Sequence, residues 1–330
     1  MKRYRCSPRA AIRSPPHRDF QARWVPPCVG RAGSPASEPA CGMKGCHPVF
    51  IAGVGRSGTT LMVDLLGLHP RLSPVYETPF VSFLLDLLVG PSRVPRFLAP
   101  AYARLYLDRW SRNLPHLRHS KREHERFHHG PHHVLFDYPF AMARTAELLE
   151  AVRGGRPIEG LRAFVDALFA EHARRDGKAC WVNKTPGYLR RLSLLHRVYP
   201  EMRFIHCIRD GRDVACSLVT RRWGPRTFGD AAAIWALGIR RGLAFAQQFP
   251  DRYTAVRFEN LLLQPAQEIR RLLVWLGEEG DPEEILAHYQ GGAVRLDTSR
   301  IGEWERIFSP DDRAQFQLRA GDVLAELGYQ

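Results

Sequence analysis

From the end of an apolar run at residues 48–52 into the start of a stretch of helical spacing at residues 59–68 run eight residues suited to holding an anion, GVGRSGTT, residues 53–60. Gly53, Gly55 and Gly58 permit a tight turn, and the helix behind them presents unpartnered backbone N–H groups and a dipole that favours negative charge. Arg56 puts a guanidinium inside the turn. Gly53 and Gly58 have the GxxxxG spacing of a Walker A loop, but Thr59 follows where that loop carries lysine. Such a turn is poorly suited to ATP with magnesium. It points to a phosphate ligand and away from an ordinary kinase.

The elements that must position this turn alternate along the chain. Apolar runs at residues 48–52, 179–182, 203–208 and 253–257 read as strands, with a further extended segment at 71–76. Helical spacing fills most of the chain between and after them, including a long helix at 228–248 and helices near 79–88, 96–112, 139–152, 160–175 and 188–198. Strand–helix alternation predicts an α/β fold: a P-loop-like parallel sheet with helices on both faces, one domain with helical insertions. Ligands of such sheets sit beyond the carboxyl ends of the strands. The turn at 53–60, the NKTP segment at 183–186 and the segment from Arg209 to Ser217 each lie just past a strand. Three distant motifs therefore converge on one edge.

Composition bounds the rest. Hydrophobic content of 45% and charged content of 25% are those of an ordinary globular chain, and 330 residues suffice for a sizeable core. No apolar run approaches the roughly eighteen residues of a membrane span. Seven Cys without a CxxC pair argue against a disulfide framework and a zinc knuckle, which suits a reducing, cytoplasmic setting. Of the net charge of +14, residues 1–42 carry +6, with eight Lys/Arg against Asp19 and Glu38. That stretch is rich in Arg and Pro and lacks periodicity, so it is expected to be disordered, with translation beginning at Met43 and residues 43–330 forming the folded domain. A basic body suits polyanionic ligands, but no zinc-finger, homeodomain-like or RNP pattern supports nucleic acid. The seven His between His116 and His133 fit no common metal-ligand spacing and read as a solvated loop.

GVGRSGTT, then YET, NKTP, IRDGRDVACSLVTRR, VRFENLLLQP and SRIGEW, in this order from about residue 48 to 310, resemble the sulfotransferases, most closely their bacterial and tyrosylprotein-type branch. The resemblance implies sulfuryl transfer from 3′-phosphoadenosine 5′-phosphosulfate (PAPS) to an acceptor hydroxyl, with adenosine 3′,5′-bisphosphate as product and no metal. It assigns Arg56, Ser57, Gly58, Thr59 and Thr60 to the 5′-phosphosulfate. Arg209 and Ser217 would take the 3′-phosphate, and Arg221 matches a further basic position. A helix from residue 211 puts Asp213, Ser217 and Arg221 on one face. Ser299 and Arg300 resemble a C-terminal element that reaches the nucleotide phosphates.

By the same resemblance Glu77 is the general base and Lys184 the cation beside the bridging oxygen. Glu77 could instead cap the helix that starts at Pro79, and Lys184 could be a surface residue of a turn. Only five Lys occur in the chain, which favours a role for Lys184. Phe258 stands where the tyrosylprotein branch tends to carry Tyr, which weakens the match to protein substrates. Glu259 could cap a helix or organise the site. The acceptor is expected to be a small molecule, glycan or peptide hydroxyl, with a homodimer possible. The competing classes are a P-loop kinase, a nucleic-acid-binding module and an inactive nucleotide-binding scaffold. Thr59 in the lysine position argues against the first, and retention of Glu77 and Lys184 against the last.

Overall fold

Five short segments pair in parallel into one sheet: β1 (Val49–Gly53), β2 (Leu72–Val75), β3 (Cys180–Lys184), β4 (Arg203–Ile208) and β5 (Tyr253–Arg257), in the order β2-β3-β1-β4-β5. The computed structural model describes residues 45–112, 137–290 and 296–329. The basic stretch 1–42 and the histidines at 116–133 lie outside the described residues. β1 and β3 are buried at every position, as central strands covered on both faces must be. Side chains alternate between two cores. Phe50 and Ala52 join Phe80, Trp181, Phe204 and Trp235 on one face, and Val49 and Ile51 join Met62, Leu65, Ile205 and Leu272 on the other.

The helices are α1 (Thr59–Gly67), α2 (Pro79–Leu84), α3 (Ala99–Ser111), α4 (Tyr138–Arg153), α5 (Pro157–Arg175), α6 (Leu192–Val198) and α7 (Gly211–Val219). They continue with α8 (Phe228–Gln248), α9 (Phe258–Leu263), α10 (Pro265–Leu276), α11 (Pro282–Gln290), α12 (Trp304–Ile307) and α13 (Pro310–Glu326). Local chemistry sets several of their ends. Asp210 accepts the Arg212 N–H at the start of α7, Thr227 accepts the Asp230 N–H at the start of α8, and Ser309 with Asp312 forms a capping box on α13. Among the described residues no helix is long and apolar enough to cross a membrane.

Two expectations are refined. The extended segment at 71–76 becomes the fifth strand, β2, and its Pro74 is tolerated because β2 is an edge strand. Trp181 and Trp235 are buried, while Trp275 lies at the margin of its core beneath the Arg203 guanidinium. Cys46 and Cys180 form a disulfide that ties the approach to β1 to the start of β3, where the odd cysteine count had pointed to free thiols. Their sequence separation of 134 residues hid the pair, because spacing alone cannot report proximity across a sheet.

His206 on β4 is fully buried, with Nδ1 2.8 Å from the Tyr253 hydroxyl and Gly242 of α8 packed on its ring. Burial pushes its pKa down to about 3. The unfolded chain therefore takes up this proton first as pH falls. The stabilising contribution is complete above an unfolded pKa of about 6.5 and is lost as pH falls toward 3. Unfolding free energy from urea titrations is expected to drop by about 2 kcal/mol between pH 7 and pH 5. A flat profile over that window would contradict the neutral buried imidazole.

Candidate active site

The anion turn forms where β1 ends. Gly53 has no room for a side chain, since a Cβ there would sit 2.4 Å from the Cys207 carbonyl oxygen of β4. Ser57 N–H bonds the Val54 carbonyl at 3.1 Å, and Gly58 caps α1 with φ of 82°. A Cβ at Gly58 would also meet the Phe258 ring at 2.4 Å. Arg56 is the one described non-glycine residue with positive φ, at 77°. Such a conformation costs of order 1–3 kcal/mol and persists where surrounding contacts over-determine it. Those contacts come from β4 and α7.

Arg56 Nε donates to Ser217 Oγ at 2.9 Å, across a sequence separation of 161. Arg209, at the end of β4 and 4% exposed, donates from Nη1 to the Arg56 carbonyl at 3.4 Å and from Nη2 to the Arg300 carbonyl at 2.7 Å. Its guanidinium lies over the Phe258 ring at 4.7 Å. Burial lowers the Arg56 pKa, and the nearby charges of Arg221, Arg300 and Arg209 lower it further. Four guanidinium groups thus crowd the crevice between β1 and β4, where the chain direction across the sheet reverses. Among the described residues, the buried Ser57 Oγ, Arg209 Nε and Arg221 Nε have no hydrogen-bond partner. Concentrated positive charge with unmet donors is the requirement of a phosphate.

On the other side of β1, Lys184 closes β3 with its side chain fully buried and Nζ 3.0 Å from Glu77 Oε1. Glu77 is 46% exposed at its side chain, so it is the partner that faces an incoming molecule. Its backbone is pinned from both directions. Asn183 Nδ2 donates to the carbonyls of Val75 and Tyr76, and Thr78 N–H donates to Thr185 Oγ1 at 3.1 Å. Tyr188 hydroxyl donates to Asn183 Oδ1 at 2.6 Å and lies 3.0 Å from Thr78 Oγ1. Thr78, Asn183, Thr185 and Tyr188 are all buried. The Asn and Thr of NKTP therefore hold the YET segment, and the Lys between them meets its Glu. Tyr76 also donates to Asp64 Oδ1 of α1, at 2.5 Å.

The expected site residues thus fall into two groups flanking one loop. Arg56, Arg209, Ser217 and the backbone of Arg300 meet directly, while Glu77 and Lys184 meet each other. Thr59 is buried and Thr60 half-buried in the first turn of α1. The Ser299 hydroxyl donates to Asp297 at 2.5 Å, while the neighbouring Arg300 brings its backbone carbonyl to Arg209. Trp223, 57% exposed, does flank the turn, 3.7 Å from where a Gly55 Cβ would stand. Glu259, in the first turn of α9, bonds its own backbone N–H and also reaches beyond its helix. It accepts the Asp210 N–H at 2.9 Å and the Tyr329 hydroxyl at 3.0 Å. Burial raises its pKa and that of Asp213. Asp213 accepts the N–H groups of Gly302 and Trp304, and its carboxylate is 3.7 Å from Arg209 Nη2. Asp213 and Glu259 are visible in the sequence, but the backbone partners they collect, and the Asn183–Tyr188 pair, are not, because sequence spacing carries no signal for such contacts.

A phosphate turn after the first strand, at the carboxyl edge of a parallel sheet, defines a P-loop-like α/β protein. The chain belongs to the sulfotransferase family, whose family model matches residues 48–282. It is similar to protein-tyrosine sulfotransferase 1 of Danio rerio, 27% identical over 251 residues, covering 74% of this chain and 57% of that protein. It is similar also to the nodulation protein NoeE of Sinorhizobium fredii, 29% identical over 317 residues, covering 85% of this chain and 65% of that one. The chain thus spans less than two thirds of the length of either relative. The same fold occurs in the sulfotransferase domain of the curacin biosynthetic pathway (TM-score 0.53, 18% identity, 86% of this chain and 98% of that one). It occurs too in that of the Synechococcus olefin synthase (TM-score 0.51, 19% identity, 86% and 98%).

Proposed function

We propose that this chain transfers a sulfuryl group from PAPS to an acceptor hydroxyl. The observation that carries the proposal is the joining of Arg56, Ser217, Arg209 and Arg300 across three chain segments, with buried donors left unmet at Ser57, Arg209 and Arg221. Such a cradle suits a ligand with two separated phosphates. The backbone and side chains of residues 56–60 would hold the 5′-phosphosulfate, and Arg209 with Ser217 and Arg221 the 3′-phosphate. Thr59 in the Walker lysine position leaves the kinase reading without its main cation.

The nucleotide supplies an activated sulfuryl group. The acceptor hydroxyl oxygen would attack sulfur in line, its proton passing to Glu77, while the bond from sulfur to the bridging phosphate oxygen breaks. Lys184 and Arg56 would stabilise the charge that grows on the departing phosphate, which is where a fixed cation helps most. Acceptors of sulfotransferase-named relatives include tyrosine, and a peptide, glycan or small-molecule hydroxyl is proposed here. The Cys46–Cys180 bridge weighs against the reducing, cytoplasmic location expected from cysteine usage.

The test compares adenosine 3′,5′-bisphosphate with adenosine 5′-monophosphate by calorimetry. The wild-type chain is expected to prefer the bisphosphate, and Arg209→Ala to weaken it by roughly 10–100-fold, the worth of one or two charge-assisted hydrogen bonds. Equal affinity for both nucleotides would defeat the 3′-phosphate assignment.

A further inference from the structure

The residues matched to the family end at 282, yet the chain beyond them bonds Arg209 and Asp213 at the base of α7 and Glu259 on the neighbouring α9. Arg300 offers its carbonyl to Arg209. Gly302 and Trp304 donate their N–H groups to the two oxygens of Asp213, at 2.9 and 3.0 Å. Tyr329, at the far end of the segment, donates to Glu259, which in turn accepts the N–H of Asp210. Stacking reinforces both ends. The Arg212 guanidinium lies 3.8 Å from the Trp304 ring centroid, and the Arg257 guanidinium lies 4.6 Å from that of Tyr329 while donating to the Leu327 carbonyl.

Building on the sulfotransferase reading, we infer that Asp213 and Glu259 are positioning residues that fasten the C-terminal segment 297–329 onto the 3′-phosphate half of the nucleotide site. Neither carboxylate is placed to donate to a phosphate, and a negative charge 3.7 Å from Arg209 Nη2 opposes an anion if electrostatics alone decides. What the Asp213 carboxylate supplies is two backbone anchors. They set the turn that presents Arg300, whose carbonyl orients Arg209 and whose charge bears on Arg56. The Arg300 side chain itself is 54% exposed, with Nε 3.5 Å from Asp297 Oδ2 in the same turn, so its place beside the site depends on that turn and the backbone beneath it. Glu259 fixes the other side of Arg209 by holding the next residue's N–H.

The two roles predict opposite signs. Removing a repelling charge tightens binding of a phosphate, whereas removing an anchor loosens it. Asp213→Asn keeps the shape and one acceptor oxygen but loses the charge and the second acceptor. Titration with adenosine 3′,5′-bisphosphate is expected to show affinity lowered about tenfold, one charge-assisted hydrogen bond being worth that much. Affinity for adenosine 5′-monophosphate should fall much less, and the KM for the donor should rise with kcat nearly constant. Hydrogen exchange should quicken at the Gly302 and Trp304 amides. Tyr329→Phe, a milder change, should move the same preference in the same direction.

Tighter or unchanged bisphosphate binding by Asp213→Asn overturns the inference, and so does an equal loss for both nucleotides, which marks a general structural defect. A wild-type chain indifferent to the 3′-phosphate overturns the functional reading, and the inference falls with it.

Discussion

Glu77→Gln is expected to lower kcat by roughly 10²–10⁴-fold, the usual contribution of a positioned general base, while bisphosphate affinity stays close to that of the wild type. Gln matches Glu in size and can still accept a hydrogen bond from Lys184 Nζ, now 3.0 Å from Oε1. It cannot accept the acceptor's proton. The anion cradle lies on the opposite side of β1, built from Arg56, Arg209 and Ser217, so it has no reason to change. The helix-cap alternative predicts something different. Thr78, not Glu77, precedes the first residue of α2, and Thr78 spends its groups on Asn183, Thr185 and Tyr188. Steady-state rates at saturating donor decide the matter. A Gln variant within a few-fold of wild type would remove Glu77 from the chemistry.

Lys184→Met is expected to lower kcat by roughly 10²–10³-fold, the loss seen when one transition-state donor is removed. Its effect on stability should be small. Removing one partner of an ion pair is costly chiefly when it strands the other charge in the interior, and here the replaced Lys184 side chain is the buried one. The Glu77 carboxylate left behind reaches water. A structural lysine predicts the reverse pattern, with thermal stability falling and activity per folded molecule preserved. Measuring Tm beside kcat on the same preparation separates the two.

Much of this arrangement is legible in the residues. The turn at 53–60 announces itself because glycine spacing, an apolar strand and a helix start coincide in one short window. The resemblance to a family joined Arg209 to Ser217; helical periodicity put Asp213, Ser217 and Arg221 on one face, but α7 ends at Val219, before Arg221. The Glu77–Lys184 pair is separated by 107 positions in sequence. Only the resemblance to a family put both in one site. The strand β2 was harder to see, because a proline and four residues of length leave little signal. Contacts made by backbone groups were invisible: nothing in the types of Gly302 or Trp304 says that Asp213 will collect their N–H groups. The same holds for Cys46 and Cys180, which pair only because the sheet order sets β3 beside β1.

The most direct measurement is a calorimetric titration of the wild-type chain with adenosine 3′,5′-bisphosphate and, separately, with ATP, each with and without magnesium. Tight binding of the bisphosphate that ignores magnesium is the predicted result, and it would tie the arginine cradle to the sulfuryl donor. ATP binding that requires magnesium, with no response to the bisphosphate, would contradict the account and return the turn at 53–60 to the kinases.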